Sequence, residues 1–365
     1  MSKINWNLSQ EDQKRKSELL SEEIQSIDLE EIKTISDLVK SFAGASIQAR
    51  NIAKCANILK DMLQDEQRPT IIMGLSGALI AGGLRKVIRD MIKYNMVDVI
   101  VSTGAIIYQD VYQARGYKHY KGSQNANDKE LRDLFIDRIY DTYVDEAKFW
   151  DTDTWIGRFA DTLQPRNYSS REFLELLATQ INDENSILYT ARKHNIPIFC
   201  PALNDSSIGI GLTEHYHRMI KNNKPHIAID SIRDNYELTQ IVVNSPGTSA
   251  IYIGGGVPKN YINDSIVMSY IFDEDTGGHK YAFQVTTANP SDGGLSGSTL
   301  SEATSWGKVS KKATHAMAFV ESTISLSLII GYAIQEKLSK NRKRLDIKWN
   351  EDILDSIKQL EKVNV

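Results

Sequence analysis

The residues of this chain best suited to covalent chemistry are Ser305-Trp306-Gly307-Lys308, which follow a run of small and polar residues, Asp292-Gly293-Gly294-Leu295-Ser296-Gly297. A lysine amine attacks only when neutral, so a nucleophilic lysine needs an apolar or cationic neighbourhood that disfavours the ammonium. Trp306 would supply a desolvating wall for Lys308, and Gly307 would let the backbone turn with no Cβ in the way. Taken alone, Lys308 also reads as an ordinary loop lysine, and the rest of the chain must decide. His215-Tyr216-His217 invites a metal reading, but histidines at i and i+2 do not share a helix face, so no metal is expected. No G-x-S-x-G elbow and no P-loop occur, which disfavours serine-hydrolase and P-loop nucleotide chemistry.

The elements that would position Lys308 alternate in type. Thr70-Ile71-Ile72-Met73 is a wholly apolar run that leads into Gly74-Leu75-Ser76-Gly77. A helical stretch over 79–94 and a second apolar run, Val97-Asp98-Val99-Ile100-Val101, complete a βαβ unit with buried parallel strands. Further strands are expected at 197–200, 226–230, 249–253, 281–286 and 314–320, with helical stretches between most of them. The pattern predicts an α/β fold, a parallel sheet with helices on both faces. Apolar residues at helical spacing give a buried stripe over 47–63, Asp28 and Glu31 fit a helix start, and Ser169 caps another helix. The expected organisation is an N-terminal helical segment (1–41), one large domain (42–336) and a C-terminal helix or tail (337–365). An aromatic-rich insertion at about 108–166 would cover one end of the sheet, either as a locally packed subdomain or lining a pocket or subunit interface.

Ligands of open parallel sheets bind at the carboxyl ends of the strands. Four glycine or serine turns fall at such ends: 74–77, 102–105, 203–207 and 254–256. Glycine there lets a phosphate or ribose approach the backbone, and the next helix N-terminus supplies N–H donors, so a nucleotide site is favoured. Strict G-x-G-x-x-G is absent, which argues against an ordinary dehydrogenase. Asp205, Asp292 and Glu321 are candidates for ribose hydroxyls, although for each a helix cap is the plainer explanation.

Composition narrows the class. A net charge of −4 over 365 residues excludes the basic surplus usual in nucleic-acid binders. Two cysteines, Cys55 and Cys200, lie far apart in apolar segments and form neither a disulfide framework nor a metal motif, which suggests a reducing compartment. The residues from Met1 to Trp6 lead into the charged run 11–16 without an apolar core of signal-peptide type, and no stretch is long enough to span a bilayer. A cytoplasmic protein with no membrane partner is expected.

Together these residues resemble the deoxyhypusine synthase family, in particular its bacterial and archaeal synthase-like branch, from about Phe42 to Gln335. The most specific piece is Glu302-Ala303-Thr304-Ser305-Trp306-Gly307-Lys308, matching the family's Glu-Ala-x-Ser-Trp-Gly-Lys; Asn95 to Val99, Pro201-Ala202-Leu203-x-Asp205, Gly254-Gly255-Gly256-Val257 and Asp292-Gly293 also match. The resemblance implies a Rossmann-like domain, a homotetramer with sites shared across a dimer interface, and an NAD-dependent, redox-neutral transfer of an aminobutyl group from a polyamine such as spermidine. It implies Lys308 as the amine that forms a Schiff base, Trp306 packing on the substrate and Glu302 pairing with an ammonium. It further implies NAD contacts at Ser76, Thr103, Gly104, Asp205, Gly255, Gly256, Asp292, Gly293 and Glu321, the last replacing the family's aspartate.

Departures fall on the substrate side and, at Gln109, near the cofactor. Ile210 and Leu295 stand where lysine-modifying members carry aspartates, Asn260 where they carry a histidine, Gln109 where they carry a glutamate, and Ala78 where they carry an asparagine. A polyamine needs carboxylates, because a buried unpaired cation is costly. The acceptor is therefore either a protein lysine, on a translation factor, or a small diamine whose product would be homospermidine. The alternative class is an NAD-binding regulatory or scaffold protein that kept the fold and lost catalysis.

Overall fold

The computed structural model describes residues 6–360. At its centre lie six strands: β1 (Thr70–Leu75), β2 (Val99–Ser102), β3 (Ile198–Phe199), β4 (Thr248–Ile253), β5 (His279–Val285) and β6 (Val309–Ala318). They are all parallel and lie in the order β6-β5-β4-β1-β2-β3. Their apolar runs are continuous because both faces are covered. Ile71, Met73, Ile251 and Phe283 enter one apolar layer, with residues of helices Ile47–Gln64, Arg85–Lys93, Gly104–Ala114 and Ser322–Gln335. Their neighbours Ile72, Ala250, Tyr252 and Ala282 enter the other, with residues of helices Ser231–Val243, Gly256–Ile271 and Leu300–Ser305. The chain runs outward from β1 to β3, returns to place β4 beside β1, then runs outward the other way. The reversal opens a crevice beyond the carboxyl ends of β1 and β4, where doubly wound sheets take ligands.

Several expectations are corrected. Residues 345–359 form an antiparallel hairpin, Leu345–Asn350 with Ile353–Gln359, rather than a terminal helix. Leu345, Ile347 and Trp349 alternate with Asp346, Lys348 and Asn350, a period of two, and Leu345 and Ile347 are buried in the second layer. Asp28 accepts a hydrogen bond from Glu30 N (3.0 Å) in a turn; the helix begins at Ile35, behind the Thr34/Asp37 capping box. The helix expected from 79 begins at Arg85, because Gly77 (φ 96°) and Gly83 (φ 87°) bend the preceding chain. Ala228–Ile229 pairs with Asn167–Tyr168 outside the central sheet.

The insertion begins within helix Gly104–Ala114 and continues through a three-stranded antiparallel sheet to helix Glu146–Ala160. Its aromatics pack on one another: Tyr108 and Tyr112 meet Phe149 edge-on at 5.1 and 4.7 Å, and Tyr108 donates to Phe149 O (2.9 Å). Helix Ile35–Ser41 is tied to the large domain by Ser36 N to Gln335 Oε1 (2.8 Å) and by Lys40–Glu336 (2.7 Å). Met1–Asn5, part of the signal-peptide reading, lie outside the described residues. No described helix is long and apolar enough to cross a membrane.

Candidate active site

Lys308 is delivered by a helix end. Helix Leu300–Ser305 starts at Thr299, whose side chain accepts from Glu302 N, and stops at Gly307 with φ 72°. Gly307 N donates to Thr304 O (3.1 Å) and Lys308 N to Ala303 O (3.1 Å), the two crossed bonds of a Schellman motif. Lys308 is thus the residue just past a left-handed glycine, and its backbone direction is set by the stop signal. Tyr270 holds the turn from outside by donating to Gly307 O (3.0 Å).

The Lys308 side chain is mostly covered. Its Nζ lies 3.3 Å from Asp264 Oδ1 and 5.4 Å from the Trp306 ring centroid. Trp306 itself is 66% exposed, so the desolvating wall expected of it is open in a single chain, and the amine is paired with the Asp264 carboxylate. Asn260, the departure from the family's histidine, donates to Asp264 Oδ2 (2.8 Å) and fixes that carboxylate from the preceding helical turn. Glu302 is exposed on the same turn of chain as Trp306.

Lys259 is the feature that sequence reasoning missed. This lysine is 1% exposed, and its Nζ donates to Gln284 Oε1 (2.9 Å), Leu295 O (3.2 Å), Ser298 O (2.6 Å) and Ser298 Oγ (3.0 Å). Burial pulls its pKa down to about 8, with the Glu302 charge opposing the shift and the Lys308 charge adding to it. The ammonium therefore pins the loop 295–298 onto β5. Asp264 was missed as well. The available signal was its i+4 spacing from Asn260 on the helix that opens at the Gly254-Gly255-Gly256 turn.

Helix Gly256–Ile271 links this lysine pair to the crevice. At its start, Gly255 N donates to Ser76 Oγ (2.8 Å) and Gly256 N to Ser296 Oγ (3.0 Å), so the turns after β1 and β4 and the loop before Lys308 converge. The glycines there serve two different needs. A Cβ on Gly104 would lie 2.2 Å from Ser206 Oγ and one on Gly255 2.5 Å from Ser296 Cα, so protein packing alone requires them. Gly256 (φ 60°) and Gly293 (φ 67°) face open space, with no atom within 4 Å of the Cβ position. Thr103 begins helix Gly104–Ala114 without a side-chain capping bond. Asp292 lies exposed in the short turn Pro290–Asp292. Asp205 is exposed after β3, where Ser206 and not Asp205 caps the next helix. Glu321 caps helix Ser322–Gln335 through Thr323 N (2.7 Å), beyond β6 and away from the Lys308 turn in sequence.

The departures are also placed. Ile210 is 58% and Leu295 38% exposed, Ala78 lies in the turn after β1, and Gln109 accepts from Ala81 N (3.2 Å). His215 is committed to structure: Nδ1 lies 2.7 Å from Asp161 Oδ1 and Nε2 accepts from Ile227 N (3.4 Å). Among the described residues no cluster of three or more His, Cys, Asp or Glu is placed to hold a metal.

The profile of the deoxyhypusine synthase family matches residues 37–333, most of the chain and all of the sheet. The chain belongs to the deoxyhypusine synthase family. A deoxyhypusine synthase-like protein of Chlorobaculum parvum is 44% identical over 329 residues, covering 88% of this chain and 92% of that one. A deoxyhypusine synthase-like protein of Coxiella burnetii is 42% identical over 344 residues (93% and 96%). A "Probable deoxyhypusine synthase 2" of Methanosarcina acetivorans is 43% identical over 309 residues (84% and 88%). The crystal structure of a candidate deoxyhypusine synthase from Entamoeba histolytica superposes with a TM-score of 0.61 at 21% identity, over 88% of this chain and 99% of that one, and speaks for the fold alone. The Rossmann-like α/β architecture is thus the family's, and membership points to transferase chemistry on a polyamine.

Proposed function

We propose that this member of the deoxyhypusine synthase family is an NAD-dependent, redox-neutral aminoalkyl transferase that carries the aminobutyl group of a polyamine such as spermidine on Lys308. The observation that carries the reading is the Schellman turn that aims Lys308 at Asp264 (3.3 Å), with Lys259 and Glu302 close enough to act on each other's charge. The crevice residues fit a dinucleotide: the open positions at Gly256 and Gly293 leave room for backbone approach, and the helix opening at Gly256 offers a favourable dipole. Ser76, Thr103, Gly104, Gly255, Gly256 and Gly293 would hold it, with Asp205, Asp292 and Glu321 as carboxylates for its hydroxyls. Such a dinucleotide would supply a hydride acceptor for the carbon beside the secondary amine and, at the end, the hydride donor, which would make the transfer redox-neutral.

Lys308 Nζ gives a proton to Asp264 and, as the free amine, bonds to that carbon. The departing diamine leaves with the amine nitrogen, and the aminobutyl group remains as a Schiff base on Lys308. An acceptor amine then adds to the same carbon and releases Lys308. Glu302 would pair with the distal ammonium, and Trp306 would pack along the methylene chain. With Ile210 and Leu295 in place of carboxylates, the site supports an altered amine set, a protein lysine or a small diamine being the acceptor. Exposed Trp306, Leu295, Ile210 and Val257 support closure of the site by a second copy, within a homotetramer. Cys55 and Cys200 are buried free thiols, in keeping with a reducing cytoplasm.

The test is trapping with borohydride in the presence of NAD and spermidine, with the adduct mapped by mass spectrometry. An aminobutyl mass on Lys308, absent from Lys308→Ala although that variant still binds NAD, is expected. An adduct at another residue, or none from any polyamine while NAD is bound, removes the covalent role.

A further inference from the structure

A second cluster of cations lies where β1 and β2 begin, at the opposite ends of these strands from the glycine turns. Arg68, just before β1, and Arg342 both grip the buried Asp98 that precedes β2. Arg68 makes two bonds of 2.7 Å, and Arg342 donates through Nη1 (3.1 Å) and Nη2. Despite its burial, these guanidinium groups hold the Asp98 carboxyl well below the usual range. Two cations on one carboxylate leave an excess positive charge inside the protein. Arg344 adds a third: burial, together with repulsion by Arg342 and Arg68, pulls it down to about 10 although Asp98 opposes the shift.

This charge faces a cleft of about 610 Å³ bounded by residues 93–96, 333–334, 337 and 339–344, a size typical of small-molecule sites. Lys93, Lys337, Lys340, Arg342, Lys343 and Arg344 line it, and no carboxylate does. Arg344 is occupied in part, donating to Ile92 O (3.2 Å) and Lys93 O (3.0 Å) at the end of helix Arg85–Lys93, where cations offset the helix dipole. That role does not account for the others. The ammonium groups of Lys93, Lys337, Lys340 and Lys343 form no ion pair among the described residues. The Arg342 side chain is buried, 1% exposed, so it adds positive charge beneath the cleft, while the exposed lysine ammonium groups are the donors an anion can reach.

We propose that this cleft is a binding site for the phosphate chain of a small polyphosphate, inorganic triphosphate or a nucleoside triphosphate. Several ammonium groups spread around one cleft suit an elongated anion with several charges better than a single phosphate, and a volume of about 610 Å³ is of small-molecule size.

Binding of inorganic triphosphate and of ATP to the full-length chain would be measured by titration calorimetry at two salt concentrations. The variant Lys337→Glu/Lys340→Glu/Lys343→Glu alters exposed side chains and is expected to keep its fold. Lys14→Glu/Lys16→Glu, on the exposed helix Gln10–Leu19, reverses charge elsewhere. Saturable binding by wild type is expected, weakening with salt, at least about tenfold weaker in the triple variant and unchanged in the control. Equal affinity for the two probes assigns the phosphate chain alone, and tighter ATP binding assigns a nucleotide. No saturable binding of either, the same loss in the control, or binding only of a single-stranded oligonucleotide overturns the proposal.

Discussion

Replacing Gly307 by alanine tests whether the helix stop places the nucleophile. The residue sits at φ 72°, where an L side chain costs about 1–2 kcal/mol relative to glycine. Its new Cβ would also meet Tyr270 Cε2 at 3.3 Å and Oη at 3.5 Å, so either the ring or the turn must give by a few tenths of an ångström. Gly116→Ala provides the control. Its φ is 92°, no atom lies within 4 Å of its Cβ position, and it follows helix Gly104–Ala114, which packs on the opposite face of the sheet from helix Leu300–Ser305, so it carries the backbone cost without the crowding. Both variants should lose about 1–2 kcal/mol in urea unfolding. Only Gly307→Ala should also lose borohydride-trapped adduct, by about a hundredfold, because small displacements of a reacting group are that costly. A Gly307→Ala protein that traps adduct at the wild-type rate while showing the stability loss would refute the claim that the Schellman turn positions Lys308. Equal trapping losses in both variants would refute it too, by showing that global stability governs the rate.

Two further outcomes follow from buried charges. Lys259→Met removes the ammonium that pins the loop 295–298 and strands Gln284 Oε1 and two backbone carbonyls; it should cost about 2–5 kcal/mol in urea unfolding and expose the loop to proteolysis, and a loss under about 1 kcal/mol would count against the pinning role. Asp234 is held up at about 7 by burial and by Glu237, against the hydrogen bonds from Ser170 and Arg171, and its Oδ2 has no partner. Because its folded pKa lies above its unfolded value, its contribution to stability is full below about pH 4 and is lost as pH rises toward 7, by at most about 4 kcal/mol. Asp234→Asn should flatten that slope and stabilise the protein at pH 8; an unchanged slope from pH 4 to 8 would show that Asp234 does not titrate there.

The apolar runs at 71–73 and 250–253, each leading into a glycine turn, were enough to place buried parallel strands, because a strand covered on both faces carries no polar alternation. The C-terminal hairpin carries the opposite signal, a period-two alternation of Leu345, Ile347 and Trp349 with charged or polar neighbours, and a charged amphipathic segment of that length fits a helix as well until its burial is known. The two-residue strand Ala228–Ile229 was not legible as separate from the sheet, since its pairing with Asn167–Tyr168 depends on a distant segment.

The candidate site divides along the same line. Sequence by itself determined that Lys308 follows a glycine at which the backbone can turn, because that freedom is local; that the turn closes a helix is a finding of the structure. It also determined that serine and glycine turns stand at successive strand ends. Only the tertiary structure decided that Asp264 faces Lys308, that Lys259 is buried against the loop before it, and that Gly104 and Gly255 are glycines because other side chains crowd them. Each of these depends on where helix Gly256–Ile271 and the strands bring together residues far apart in the chain. A lysine's charge, neighbours and solvent cover are properties of that packing, which no local pattern encodes.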